Sequence, residues 1–155
     1  MQMRKEQHSK EWNEIKTNDS WAIFKIMGEF VNGFEKMSAI GPCVSIFGSA
    51  RVRPGNKYYE LAVNISQRIA ESGYGVITGG GPGIMEAGNR GASLAGGTSV
   101  GLNIELPFEP HAHPYIDEDN SLDFDYFVVC KVMSLTDSQV LVFLTGVVLT
   151  IDCLF

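Results

Sequence analysis

Apolar and polar positions along this chain change period several times, and each change marks an element. From Ser20 to Met37 the residues Trp21, Phe24, Met27, Phe30, Val31 and Phe34 recur at spacings of three and four, with Lys25, Glu29, Asn32 and Glu35 between them. That period predicts an amphipathic helix capped by Asp19 or Ser20, its aromatic stripe packed on the core or on a second subunit. Residues 1–19 read as a loosely ordered extension and 20–155 as the folded domain.

Beyond Gly41-Pro42, Cys43-Val44-Ser45-Ile46-Phe47 is a short apolar run that stops at Gly48-Ser49-Ala50, the pattern of a buried strand ending in a loop. A helix carries Tyr59, Leu61, Ala62, Ile65, Ile69 and Ala70 on one side and stops at Ser72-Gly73. Tyr74–Thr78 reads as a second strand, Gly79-Gly80-Gly81-Pro82-Gly83 as a tight loop, Ile84–Ala95 as a small-residue helix and Thr98–Ile104 as a third strand. Then comes a long polar stretch, Glu105–Asp123, broken by Pro107, Pro110 and Pro114. Loops of that length in compact domains are usually functional. Phe124–Val129 is read as a fourth strand, Lys131–Ser138 as a short helix, and Val140–Leu144 as a strongly buried fifth strand. Strands alternating with helices through short glycine turns predict an α/β fold, a Rossmann-like parallel sheet with helices on both faces.

The charge balance narrows the function. With 12 Lys+Arg against 18 Asp+Glu, the chain lacks the general basic field that a nucleic acid polymer or an anionic membrane surface requires. Nothing in the N-terminal residues reads as a signal peptide or span, and the three scattered cysteines, Cys43, Cys130 and Cys153, favour a reduced, cytoplasmic setting. His111 and His113 stand two apart without a third fixed ligand, so no metal is expected.

Glycine is the enriched residue, at 17 of 155, and its placement carries the candidate chemistry. Gly79–Gly83 ends a strand and opens a helix, where backbone N–H groups and the helix dipole favour an anion. Glu86 occupies the place of the third glycine of a dinucleotide fingerprint, and no Gly-Lys-Ser/Thr follows, so neither NAD nor a P-loop is implied. An acid beside a phosphate would repel it, so Glu86 is expected to point aside or toward a ribose hydroxyl. Gly48-Ser49 ends the first strand on the same sheet edge, and Thr145-Gly146 would join them if the fifth strand is parallel.

Four segments in order, Ser45-Ile46-Phe47-Gly48-Ser49-Ala50, Gly79 through Ala87, Asn89-Arg90-Gly91-Ala92 and Leu102-Asn103-Ile104-Glu105-Leu106-Pro107, closely resemble the LOG (Lonely Guy) family. These Rossmann-like proteins are often labelled lysine decarboxylases. Their characterised members are phosphoribohydrolases that release the free base and ribose 5-phosphate from nucleoside 5′-monophosphates such as cytokinin riboside 5′-monophosphates. The resemblance implies a homodimer, an AMP-like ligand and no cofactor. It places the phosphate on Gly48, Ser49, Gly79, Gly80, Gly81, Gly83, Gly146 and Thr150, with Glu109 and Lys131 contacting the substrate.

The family signature Pro-Gly-Gly-x-Gly-Thr-x-x-Glu aligns here with Thr145 through Cys153, keeping only Gly146 and Thr150 of the phosphate cradle. Cys153 stands at the catalytic Glu position and Cys130 at that of the catalytic Arg. Glycosidic cleavage needs a carboxylate, and a cation to orient the phosphoribosyl group; a neutral thiol is neither. The expectation is a nucleotide-binding domain of this type with crippled catalysis. The alternatives are a non-catalytic nucleotide-binding or dimerisation module, or an inactive product truncated on the C-terminal side of its sheet.

Overall fold

A computed structural model of the chain describes residues 2–104 and 114–145, with side chains from Ser20 onward. Among these residues five strands form one sheet, all parallel, in the order β4-β3-β2-β1-β5. The strands are β1 (Cys43–Gly48), β2 (Gly75–Thr78), β3 (Ser99–Ile104), β4 (Ser121–Phe124) and β5 (Ser138–Leu144). The helices are α1 (Gln2–Ile40), α2 (Lys57–Glu71), α3 (Ile84–Leu94) and α4 (Phe127–Thr136).

Strand residues alternate between the two faces of a sheet, and here each face feeds its own core. On one side Ile46 and Val76 pack with Tyr59, Ala62 and Val63 of α2 and with Ile84, Ala87 and Ala92 of α3. On the other, Cys43, Ile77, Val100, Leu102, Leu122 and Phe124 pack with Met37 of α1 and with Val129, Cys130 and Met133 of α4. The result is the expected Rossmann-like layering. Glycines allow the helices to sit close: a Cβ at Gly33 would lie 3.1 Å from Met133 Cε, and one at Gly91 would meet Ser66 Cβ at 2.6 Å and the Val63 carbonyl closer still.

Four features differ from expectation. Helix α1 begins at Gln2 instead of at a cap near Ser20, so its backbone includes the segment read as a loose extension. The fourth strand lies earlier, over Ser121–Phe124, and Phe127-Val128-Val129, which has a β-like composition, forms the first turn of α4. That turn is fixed from outside: the Glu29 carboxylate of α1 accepts the Asp125 N–H at 2.8 Å and the Tyr126 N–H at 3.4 Å. The expected long loop accordingly gives up its last residues to β4 and to a 3₁₀ turn, Glu118–Asn120. Finally, β5 is not strongly buried. Among the described residues it pairs only with β1 at the sheet edge, leaving Val140 54% and Leu141 36% exposed. An all-apolar run predicts two covered faces, but an edge strand covers them only as far as neighbouring layers reach.

Candidate functional site

The chain lays β2, β3 and β4 outward from β1 in one direction and then returns to pair β5 on the opposite side of β1. The strand order therefore reverses between β1 and β5. In open parallel sheets the crevice beyond the carboxyl ends at such a reversal is where ligands bind.

Three loops meet there, backbone to backbone. The Ser49 N–H donates to the Thr145 carbonyl at 3.2 Å, joining the ends of β1 and β5, and the Ile84 N–H donates to the Ser49 carbonyl at 3.2 Å, joining the β1 loop to the start of α3. Neither glycine at the junction has room for a side chain. A Cβ on Gly48 would lie 2.5 Å from Ile84 Cγ2, and one on Gly83 would lie 2.8 and 2.9 Å from backbone atoms of Ala50. Gly83 also holds φ 77, ψ −124, a combination open to glycine. Among the described residues no side chain caps α3 at Gly83, so the first-turn N–H groups after Ile84 face the crevice end of the helix without a cap from those residues.

Gly80, at φ +69, donates its N–H to Thr78 Oγ1 at 3.1 Å. Thr78 Oγ1 donates in turn to Asn89 Oδ1, Asn89 Nδ2 donates to Ser99 Oγ at 2.9 Å, and Ser99 Oγ donates to the Tyr115 carbonyl at 2.6 Å. Thr78, Asn89 and Ser99 are all buried, so this chain of bonds runs through the protein interior and is satisfied throughout. Asn103 lies against the same glycine: its Nδ2 donates to Ser121 Oγ at 2.9 Å and to Asp123 Oδ1 at 3.0 Å, while its buried Oδ1 has no hydrogen-bond partner among the described residues and occupies the space a Cβ on Gly80 would need.

Of the residues singled out in the sequence, Gly48, Ser49, Gly79, Gly80, Gly81 and Gly83 come together at this edge with Thr145. Thr145 takes a left-handed φ of 49 and buries its hydroxyl without a hydrogen-bond partner among the described residues. Glu109, Gly146, Thr150 and Cys153 lie outside the described residues, as do His111 and His113. Lys131 is half-buried on α4. Cys130, beside it, belongs to the core: its thiol donates to the Leu102 carbonyl at 3.2 Å, and burial pushes it up to about 11. Cys43 behaves likewise, raised to about 11 by burial. Both are protonated, unreactive thiols at neutral pH.

Glu86 points aside, as electrostatics requires. It accepts the Tyr59 hydroxyl at 3.0 Å, and Arg90 stands over the rings of Tyr59 and Tyr115, 6.0 Å from each centroid. Burial is the main cause of the raised Tyr59 pKa. Asn103, Thr78 and Tyr59 had no assigned role in the sequence. For Thr78 and Asn103 the available signal was a polar residue at or near the carboxyl end of a buried strand, where the crevice begins.

Fold and crevice together define a Rossmann-like α/β protein with a glycine-lined crevice at the reversal of its sheet. More particularly, the chain belongs to the SLOG cluster4 family, whose profile matches residues 42–147. Among solved structures it is similar to the protein TM1055, at 23% identity and a TM-score of 0.60 over 74% of this chain and 69% of that one. It is also similar to the molybdenum cofactor carrier protein of Chlamydomonas reinhardtii, at 23% identity and a TM-score of 0.57 over 73% and 69% of the two chains. A second structure of that carrier gives 21% and 0.51 over 72% and 71%. At these identities the likeness is one of fold. No curated protein matches the chain.

Proposed function

We propose that this protein binds a nucleoside 5′-monophosphate in the crevice between the β1, β2 and β5 loops, and that it cleaves the glycosidic bond feebly or not at all. The observation that carries the reading is the three-loop junction at Ser49, Gly83 and Thr145, where backbone and an uncapped helix start form a surface suited to a phosphate. Against efficient hydrolysis stand the chemistry of the aligned positions and the burial of Cys130. The carboxylate described nearest the glycine loop in sequence, Glu86, is engaged with Tyr59.

The second part of the proposal is a homodimer. Helix α1 turns Ile26, Phe30 and Met37 toward its own core, yet Trp21, Phe24, Met27 and Val31 are each more than half exposed. That outward stripe at three-four spacing supports pairing with a second copy.

Calorimetric titration with AMP, run beside chromatographic detection of adenine, tests the reading. Binding with little release of base supports it. Rapid turnover would remove the loss of catalysis, and absence of AMP binding would remove the nucleotide site.

A further inference from the structure

The loop between β1 and α2 has a charge character opposite to that of the whole chain. From Cys43 to Tyr59 there is no Asp or Glu, while Arg51, Arg53 and Lys57 fall within seven residues, in a protein whose net charge is −6; among the described residues the one carboxylate bonded to the loop is Glu60, which accepts the Gly55 N–H at 3.4 Å and leaves the loop net positive. All three side chains are exposed, and among the described residues neither guanidinium has an ion-pair or hydrogen-bond partner; Lys57 sits 4.8 Å from the centroid of the Tyr58 ring. The loop is locally built: the Arg51 N–H donates to Ser49 Oγ at 3.2 Å, the Asn56 N–H donates to the Arg53 carbonyl at 3.1 Å, and Asn56 Oδ1 caps α2 by accepting the Tyr58 N–H at 3.0 Å. Its near end is the crevice itself. Ala50 is the residue whose backbone a Cβ on Gly83 would strike, and Arg51 follows it directly, about 3.8 Å further along the chain.

From this we infer that the Arg51–Lys57 loop holds the distal phosphates of a nucleoside di- or triphosphate whose first phosphate sits on the glycine loop. The inference rests on the nucleotide reading above and narrows its ligand class. A phosphomonoester carries about −1.5 to −2 at pH 7. The glycine loop and the start of α3 already offer neutral donors for one such group. Arg51 and Arg53, the loop's two guanidiniums without a partner among the described residues, follow the crevice end of the loop and match added negative charge beyond the first phosphate. Arginine suits that task through its planar fork of donors.

The test compares AMP, ADP, ATP and inorganic tripolyphosphate by calorimetry at two salt concentrations, on the unaltered chain and on Arg51→Ala/Arg53→Ala. Both positions are exposed, so the variant folds, and its unfolding curve checks this. ADP and ATP should bind about tenfold or more tighter than AMP, with a steeper salt dependence. In the variant that advantage should fall to within about twofold while AMP affinity stays unchanged. Equal affinity for the three nucleotides overturns the inference and leaves the monophosphate site standing. Equal weakening of all three in the variant also overturns it, because the cations would then serve the first phosphate. Tripolyphosphate binding lost in the variant, with no nucleotide bound at all, keeps the loop as a polyphosphate site and refutes the nucleotide reading. No binding of any kind overturns both.

Discussion

Replacing Gly83 with alanine isolates the energetics of the loop junction. Two costs add. An L-residue forced to φ 77 and ψ −124 is strained by about 1–3 kcal/mol. The new Cβ would also lie 2.8 and 2.9 Å from backbone atoms of Ala50, with the Ser49 carbonyl closer still, so the β1 loop must retreat. That retreat breaks the 3.2 Å bond from the Ile84 N–H to the Ser49 carbonyl, for about a further 1–3 kcal/mol where the groups stay buried. The sum, about 4 kcal/mol, is a large fraction of a typical domain stability of roughly 5–15 kcal/mol. For a chain of this size it corresponds to a fall in Tm of about 8–16 °C. Gly55→Ala is the matched control: Gly55 has φ +88 but nothing within 4 Å of a Cβ. It carries backbone strain alone, about 1–2 kcal/mol. Thermal and urea unfolding followed by circular dichroism compare the two. If Gly83→Ala is no more damaging than Gly55→Ala, the three loops are not held backbone to backbone and the argument for the site geometry fails.

Other predictions follow from neighbouring contacts. Glu29→Ala removes the acceptor for the Asp125 and Tyr126 N–H groups and should cost about 1–2 kcal/mol in urea unfolding, while Glu29→Gln, keeping an acceptor, should cost less. Cys43 and Cys130 rise from 9.0 to about 11 in the folded chain, so the folded state keeps protons that the unfolded state releases. Their contribution to stability is present below pH 9 and lost as pH rises toward 11, and a Cys43→Ala/Cys130→Ala variant should show a shallower decline over that window. At neutral pH the same two thiols should resist alkylation until the chain is unfolded, read by mass spectrometry. Phe24→Glu/Val31→Glu, on the exposed face of α1, should shift the protein to monomer in light scattering with its circular dichroism spectrum unchanged.

Much of the fold is legible in the sequence because period and punctuation agree. Cys43–Phe47 ending in glycine, Tyr59–Ala70 at helical spacing, and Gly79–Gly83 between a strand and a helix each receive consistent local signals. Phe127-Val128-Val129 failed because β-branched and aromatic composition describes a surface that packs well, whichever element carries it. What decides for helix is Glu29, almost a hundred residues away in sequence. The strand at Val140–Leu144 was found in its place but not in its setting, since position within a sheet is a property of topology. Gly48 and the Gly79–Gly83 loop were readable as a place of close backbone approach at the sheet edge because such approach demands glycine. Asn103 was not, because its role depends on Ser121 and Asp123 orienting its amide. Cys130, aligned to a catalytic position, is assigned by the packing of α4 to the core.

The chain of bonds from Gly80 through Thr78, Asn89 and Ser99 to the Tyr115 carbonyl has a direction, for every donor in it points the same way. Such a one-way series polarises each bond by the next, and reversing any single hydroxyl would leave two donors facing each other and two acceptors unpaired. The Gly80 amide proton therefore cannot be released to solvent by a private motion of its own loop without disturbing the interior. Its hydrogen-exchange rate should follow openings that also free the turn at Tyr115–Asp117, making the glycine loop and that turn one unit in time as well as in space.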